Sequence, residues 1–121
     1  MATVLIVEDE VQVLLLAESI LQGAGYETLT ASTLAEAQAI LHSDHKVDLI
    51  FTDITLGDEA EAGLQVGQFA NQLKALPVIY TTGRGVTDGM IALFADRHAF
   101  LPKPWKPEQL IQKVAEMLRG P

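Results

Sequence analysis

The chain has 121 residues, no cysteine and a formal net charge of −8, which suits one domain and excludes disulfides and thiolate metal sites. Lysine and arginine do not cluster, so the sequence lacks the basic surface that nucleic-acid binding needs, and we expect no nucleic-acid partner. No apolar run is long enough to cross a membrane and no export signal precedes the first strand, so we expect no membrane partner and a cytoplasmic location.

Strands and helices are predicted to alternate along the whole chain. Most strands are short apolar runs, and the helices show apolar residues at helical spacing. In chain order, strands and helices are expected over residues 3–7 (strand), 11–23 (helix), 26–30 (strand), 33–42 (helix), 47–52 (strand), 64–76 (helix), 78–81 (strand), 87–95 (helix), 99–101 (strand) and 107–119 (helix).

Local signals set several of the helix boundaries. Thr33 is placed to cap the second helix, and Glu36, three residues later, completes a capping box. Pro77 stops the third helix, and Pro107 suits the first turn of the last one. The sequence therefore predicts short connections between well-defined elements.

Five β–α units in one short chain predict an α/β fold with a doubly wound parallel sheet. Right-handed crossovers favour the flavodoxin-like strand order 2-1-3-4-5. In that order the first and third strands are central neighbours, at the switch point where open α/β sheets bind ligands. The sequence shows no linker, repeat or second domain.

Five polar residues follow predicted strands, at the edge of the sheet where ligands bind. Glu8 and Asp9 follow the first strand, Asp53 the third, Thr82 the fourth and Lys103 the fifth. Three carboxylates, a hydroxyl and an ammonium in one place suit a hard divalent cation and a phosphoryl group.

Each of these residues also has a plain structural interpretation. Asp9 could cap the first helix, and Asp53 alone could be a loop residue. Thr82 before Gly83 could form a turn, and Lys103 between two prolines could face solvent. For the site to be absent, all four of these structural interpretations would have to be true independently, one at each of four strand ends.

Four short motifs identify a resemblance that covers essentially the whole chain. They are Val7-Glu8-Asp9-Glu10, Thr52-Asp53-Ile54, Pro77-Val78-Ile79-Tyr80-Thr81-Thr82-Gly83 and Lys103-Pro104. In this order and spacing they resemble a response-regulator receiver domain of two-component signalling. The resemblance implies one receiver domain over residues 1–121, which we expect to stand alone without an output domain.

The resemblance implies a role in phosphoryl transfer for each residue of the site. Asp53 would be the phosphoacceptor, taking a phosphoryl group from a histidine kinase or a histidine phosphotransfer protein. Asp9 and Asp53 would bind Mg²⁺ directly, with Mn²⁺ as a possible substitute. Glu8 would act through water, and the backbone carbonyl of Thr55 would be a further ligand.

The resemblance also implies residues that sense the phosphoryl group. Thr82 and Lys103 would contact its oxygens, and Thr82 is favoured over Thr81 because Thr81 points to the other face of its strand. Phe100 would be the aromatic partner of the switch, or simply part of the core. The face of the fourth helix, fifth strand and fifth helix would then change its affinity for a downstream partner, which stays unidentified.

The segment after Asp53 departs from the family pattern. Gly57 stands where the family usually has proline, and the loop to Gly63 is about two residues longer than in the simplest receivers. Thr55 and Arg84 occupy the two positions that tune self-hydrolysis in the family. We expect these differences to affect the lifetime of the phosphorylated form.

The first helix has two apolar faces. The buried face is expected to hold Val13, Leu16, Ala17, Ile20 and Leu21. Val11, Leu14 and Leu15 form a second stripe beside the acidic pair, which is predicted to dock the helices of a phosphodonor. Trp105 is a further docking candidate, or packs against the last helix.

Two other functions remain open at this point. A Mg²⁺-dependent phosphatase with an aspartyl nucleophile would usually have a second aspartate where this chain has Thr55. An interaction module that no longer uses phosphate would be expected to lose Asp53, Lys103 or the acidic pair, and none is lost. We expect a monomer, or a dimer that forms on phosphorylation.

Overall fold

The computed structural model describes residues 1–120 and has five strands and five helices in strict alternation. They are β1 Thr3–Val7, α1 Val11–Gly23, β2 Glu27–Ala31, α2 Leu34–His42, β3 Leu49–Asp53, α3 Ala62–Lys74, β4 Val78–Thr81, α4 Asp88–Ile91, β5 His98–Phe100 and α5 Pro107–Leu118. None of the helices in this part of the chain is long and apolar enough to cross a membrane.

The strands form one parallel sheet in the order β2-β1-β3-β4-β5. The predicted flavodoxin-like, doubly wound fold is therefore confirmed. Strands β1, β3 and β4 are buried along their whole length, as expected for central strands covered by helices on both faces. The edge strand β2 is partly exposed.

Alternation along the strands divides the core into two layers. Leu5 and Ile50 point into a layer with residues of α2 and α3. Ile6, Phe51 and Ile79 point into a layer with residues of α1 and α5. Because side chains alternate along a strand, each residue at a strand end can be assigned to one of these two faces.

The fourth helix is shorter than the sequence predicts. It covers Asp88–Ile91 instead of residues 87–95, with the Thr87 hydroxyl accepting a hydrogen bond from the backbone N–H of Met90. The chain after the helix is held by a side chain instead, since the Tyr80 hydroxyl accepts the Ala95 N–H at 2.8 Å. Hydrogen bonds of backbone turns and this one hydroxyl therefore take the place of the helical hydrogen bonds that a longer α4 would form.

Capping of α2 follows the prediction in one half only. The Thr33 hydroxyl accepts the Glu36 N–H at 3.1 Å, as predicted. The Glu36 carboxylate, however, accepts from the backbone N–H and the hydroxyl of Ser32. The reciprocal bond therefore reaches one residue further back than in a capping box.

The predicted faces of α1 are wrong at two positions. Leu16 was expected to be buried but is 53% exposed. Leu14 was expected on the exposed stripe but packs against the core layer beneath α1. On the side of α1 that faces the core, Ala17 and Leu21 are buried, and Leu14 and Ile20 are partly buried. The apolar residues outnumber one helical face, so periodicity alone could not choose between neighbouring stripes.

Tyr80 fills the layer beneath α3 and depends on a glycine there. Its ring is fully buried and stacks on Phe94 with the ring centroids 4.1 Å apart. A Cβ added at Gly67 would overlap the Tyr80 hydroxyl and ring carbons. Gly67 is therefore required for α3 to approach the sheet closely.

We predict that Gly67→Ala lowers the free energy of unfolding by about 2 kcal/mol, since an added atom in a packed core forces side chains from their rotamers. Urea unfolding measures the effect. The double variant Gly67→Ala, Tyr80→Phe removes the nearest overlapping atom and should recover part of the loss relative to Tyr80→Phe alone. Wild-type stability of the single variant would contradict the prediction.

Candidate functional site

Three carboxylates meet where β1 and β3 end side by side. Val7 pairs with Thr52 in the parallel register, so the residues that follow are neighbours across the two strands. Glu8, Asp9 and Asp53 each place a carboxylate oxygen within 4.8 Å of the other two. Glu8 and Asp53 are buried and Asp9 is exposed, so the cluster is open to solvent on one side.

Lys103 is the counterion of this cluster. Its Nζ donates to Oδ2 of Asp53 at 2.7 Å and to Oε1 of Glu8 at 2.9 Å. Its backbone N–H donates to the carbonyl oxygen of Thr82 at 3.0 Å, which holds the lysine backbone against the end of β4. The prediction that Lys103 lies with the acidic residues, and not in solvent, is confirmed.

The pKa values of this ion pair move in directions set by burial and by charge. Burial raises the pKa of Glu8 above its ordinary value, although hydrogen bonds from Lys103 and the Glu10 N–H oppose the change. Burial alone would lower the pKa of Lys103, but hydrogen bonds to Asp53 and Glu8 outweigh it, so the pKa is raised. Lys103 therefore stays charged at neutral pH.

Asp53 is held by both of its carboxylate oxygens. Oδ1 accepts the backbone N–H of Thr55 at 3.0 Å, while Oδ2 binds Lys103. The carboxylate faces a cleft of about 350 Å³ lined by Asp9, Glu10, Asp53, Thr55, Gly57, Thr82, Gly83, Arg84 and Lys103. This cleft brings together most of the site residues that the sequence predicts.

The cleft contains Thr82 and not Thr81. The Thr82 hydroxyl accepts the backbone N–H of Arg84 at 3.2 Å and lies at the cleft wall. Thr81 is buried and does not line the cleft. Phe100 is half-buried and packs against the core layer that contains Tyr80.

The segment after Asp53 forms a defined turn. The backbones of Leu56 and Glu59 exchange two hydrogen bonds of 3.0 Å, and Gly57 has a φ of +60° at the first central position. Such a turn requires glycine there, which explains why proline is absent. Leu56 is 5% exposed and anchors the turn in the core, a role that the sequence reading missed.

Gly63 closes the same segment against the site. Its N–H donates to the Ile54 carbonyl at 2.8 Å, and a Cβ at this position would overlap the backbone of Asp53. The Thr55 hydroxyl donates to the Ala60 carbonyl at 3.0 Å. The longer loop is therefore tied to the strand that carries Asp53.

An apolar groove lies beside the cleft, between α1 and the segment before α5. It has a volume of about 220 Å³ and is lined by Glu10, Val13, Leu16, Lys103, Pro104 and Trp105. Trp105 packs edge-on against Phe51 with the ring centroids 5.8 Å apart. Val11 and Leu15 are exposed nearby, as predicted. Leu16, and not the predicted Leu14, is exposed beside them.

The donor atoms of the acidic cluster fit a hard divalent cation. All three are carboxylate oxygens, which Mg²⁺ prefers, and they approach one another closely enough to share one ion. The exposed side at Asp9 leaves room for the water ligands that Mg²⁺ retains. Two of the three carboxylates already bind Lys103, so a cation would share them with the lysine.

A parallel sheet with carboxylates and a lysine at its switch point defines a class of small α/β signalling domains. The family model for the response regulator receiver domain matches residues 4–115. The chain therefore belongs to the response regulator receiver family, the signalling modules of two-component phosphorelays.

Individual relatives agree with this assignment. A receiver protein from Sinorhizobium medicae superposes with a TM-score of 0.89 and is 29% identical, covering 98% of this chain and 95% of that one. A CheY-like receiver domain protein from Methanospirillum hungatei gives a TM-score of 0.87 at 29% identity, covering 98% and 94%. The phosphate regulon transcriptional regulatory protein PhoB from Pseudomonas aeruginosa is 32% identical over 97% of this chain and 52% of its own length.

The chain spans about half the length of the first curated relatives that it matches. Those relatives are transcriptional regulators by name. The expectations of a domain without an output domain and of no nucleic-acid partner therefore stay predictions.

We predict that Lys103→Met lowers the free energy of unfolding by about 2 kcal/mol, because two buried carboxylates lose their counterion; the loss is moderated because water reaches part of the lysine. The raised pKa of Glu8 means that the folded state keeps a proton that the unfolded chain releases, so stability falls as pH rises through the folded value. Without Lys103 this fall should be larger between pH 5 and pH 8.

Urea unfolding at the two pH values measures this effect. Lys113→Met is the matched control, since Lys113 forms only a long pair with Glu116 at 3.7 Å on the helix surface. Equal stability and equal pH dependence of Lys103→Met and Lys113→Met would show that the buried ion pair does not support the fold.

Proposed function

We propose that this chain receives a phosphoryl group on Asp53 from a histidine kinase or a histidine phosphotransfer protein. One observation carries the proposal: the Asp53 carboxylate faces an open cleft while Lys103 contacts it at 2.7 Å. A buried nucleophile with an adjacent fixed cation suits attack on a negatively charged phosphorus centre.

In the proposed reaction an Asp53 oxygen forms a bond to phosphorus as the bond from phosphorus to the donor nitrogen breaks. The electron pair of the broken bond stays on the donor imidazole, and Asp53 becomes an acyl phosphate. Mg²⁺ held directly by Asp9, Asp53 and the backbone carbonyl of Thr55, and through water by Glu8, would supply positive charge to the phosphoryl oxygens. Lys103 pairs with one of those oxygens, and the backbone N–H of Thr55 orients the carboxylate.

Signalling follows from a second packing of the same residues. The Thr82 hydroxyl exchanges its bond with the Arg84 N–H for one with the phosphoryl group, and Phe100 follows into the space that this opens. Phosphate thereby favours one of two arrangements of the α4, β5 and α5 face, which binds a downstream protein. At the end of α4 and just after it, the apolar side chains of Ile91 and Leu93 are exposed.

The lifetime of the phosphorylated form depends on access of water to phosphorus. Thr55 and Arg84 both line the cleft. The Thr55 side chain is tied to the Ala60 carbonyl. This tie keeps the β3–α3 segment over one side of the cleft, and Arg84 is placed to contact the phosphoryl group or the entering water.

We predict that acetyl phosphate with Mg²⁺ adds one phosphoryl group to the native protein, detected by intact mass, because Asp53 and its cation neutralise the donor without a kinase. Asp53→Asn should remove the adduct, and chelation of Mg²⁺ should prevent it. Asp58→Asn, which changes an exposed acid of the adjoining turn, is the matched control and should be phosphorylated normally.

An adduct that survives Asp53→Asn would contradict the assignment of the acceptor. No adduct on the native protein would favour an interaction module that is independent of phosphate. Sustained turnover of phosphate esters would instead indicate a phosphatase. Size-exclusion chromatography of the same samples tests whether phosphorylation produces a dimer.

The exposed part of α1 is proposed as the docking surface for the phosphodonor. We define the α1 patch as Val11, Leu15 and Leu16, which are 65%, 55% and 53% exposed. The patch is continuous with the groove at Trp105 and borders the cleft through Glu10. A helix of the donor packed there would bring its histidine to Asp53.

We predict that Leu15→Glu slows transfer from a histidine phosphodonor about tenfold, since a charge is forced into an apolar contact, and leaves the rate with acetyl phosphate unchanged. Leu73→Glu, at a leucine of α3 that is 42% exposed, is the control and should affect neither rate. Equal slowing of both donors by Leu15→Glu would show that the substitution acts on the site or the fold and not on docking.

A further inference from the structure

A buried hydroxyl next to the phosphoacceptor has no role in the function described so far. Thr81 is 2% exposed, and its Oγ1 has no hydrogen-bond partner within residues 1–120. A buried hydroxyl without a partner costs about 1–3 kcal/mol, and valine, which has the same shape, would avoid that cost. A threonine is therefore unfavourable here unless its hydroxyl is used in another state.

Strand register places Thr81 beside the reacting carboxylate. Thr81 is paired with Asp53 across β3 and β4. Asp53 lies two residues after Phe51, and Thr81 two after Ile79, and both of those side chains point into the layer beneath α1 and α5. By alternation Thr81 and Asp53 project to that same face from neighbouring strands about 5 Å apart.

The Lys103 side chain must cross over this position. Strand β4 lies between β5 and β3, yet the Lys103 ammonium, which follows β5, reaches Asp53 on β3 and Glu8 beyond it on β1. A Cβ at Gly83 would lie 3.9 Å from the Lys103 Cβ. Lys103 therefore spans the end of β4 beside Gly83, and its ammonium meets Asp53, the residue paired with Thr81.

We propose that Thr81 is a positioning residue for Lys103. The inference rests on the proposed phosphorylation of Asp53. An ammonium group has three donors, and two of them bind Glu8 and Asp53 in this structure. When the Lys103 ammonium leaves Glu8 to bind the phosphoryl group, it moves closer to β4. The Thr81 hydroxyl then accepts the third N–H and holds the ammonium in place.

The proposed role of Thr81 depends on its hydroxyl and not on the shape of its side chain. Thr81→Val keeps the packing and removes the acceptor, whereas Thr81→Ser keeps the acceptor and removes a methyl group. Ile79→Val is the matched control, because it deletes one methyl group on the same face of β4 without touching a polar atom. The three variants, all in β4, therefore distinguish the effect of packing from the effect of the hydrogen bond.

The test measures the rate of phosphorylation by acetyl phosphate and thermal unfolding for the native protein and all three variants. Thr81→Val should unfold at a higher temperature yet be phosphorylated about tenfold more slowly, the effect of one hydrogen bond to a charged group. Thr81→Ser should restore the rate to within about twofold. Ile79→Val should lower the unfolding temperature and leave the rate unchanged.

A second arm tests whether Thr81 acts through the lysine. In a Lys103→Met background, Thr81→Val should cause no further slowing. A native rate for Thr81→Val, equal slowing by Thr81→Val and Thr81→Ser, or full slowing in the Lys103→Met background would each overturn the proposal. If the native protein forms no adduct, the proposed function fails first and this inference fails with it. A native adduct with no Thr81 effect rejects the inference alone.

Discussion

The contact of the Lys103 ammonium with two buried carboxylates is the interaction on which this structure depends most. Glu8 and Asp53 lie at the ends of neighbouring central strands, and without an internal cation the charges of these two buried carboxylates would repel one another. Lys103 neutralises them from the far side of β4. The same ion pair links the ends of three strands, and in the proposed function it also prepares Asp53 to react.

The remaining architecture brings these groups together with few specialised residues. Parallel register makes Glu8 and Asp53 neighbours, and the hydrogen bond from the Lys103 N–H to the Thr82 carbonyl holds the lysine beside them. Small residues then allow close approach: Gly63 against the backbone of Asp53, and Gly67 against Tyr80. The loop that departs from the family pattern is tied by hydrogen bonds to the backbone around β3, and its residues Thr55 and Gly57 line the cleft.

Much of this could be predicted from sequence because strand ends carry the information. Apolar runs that are followed by acidic residues or a lysine predicted the sheet, its strand order and the residues of the site. The errors arose where local pattern is degenerate. On α1 the apolar residues exceed one face, so Leu14 and Leu16 were exchanged. The short α4 depends on the Tyr80 hydroxyl, and the turn at Leu56 on Gly57, and both are contacts that no local signal reports.

The edge-on contact between Trp105 and Phe51 has a practical consequence. Trp105 is the only tryptophan in the sequence, and Phe51 precedes Asp53 by two residues on the same face of β3. Its indole also forms a wall of the groove that includes Lys103. The tryptophan emission of the native chain should therefore report the proposed cation binding, the proposed phosphorylation of Asp53 and occupation of the groove, without any attached dye.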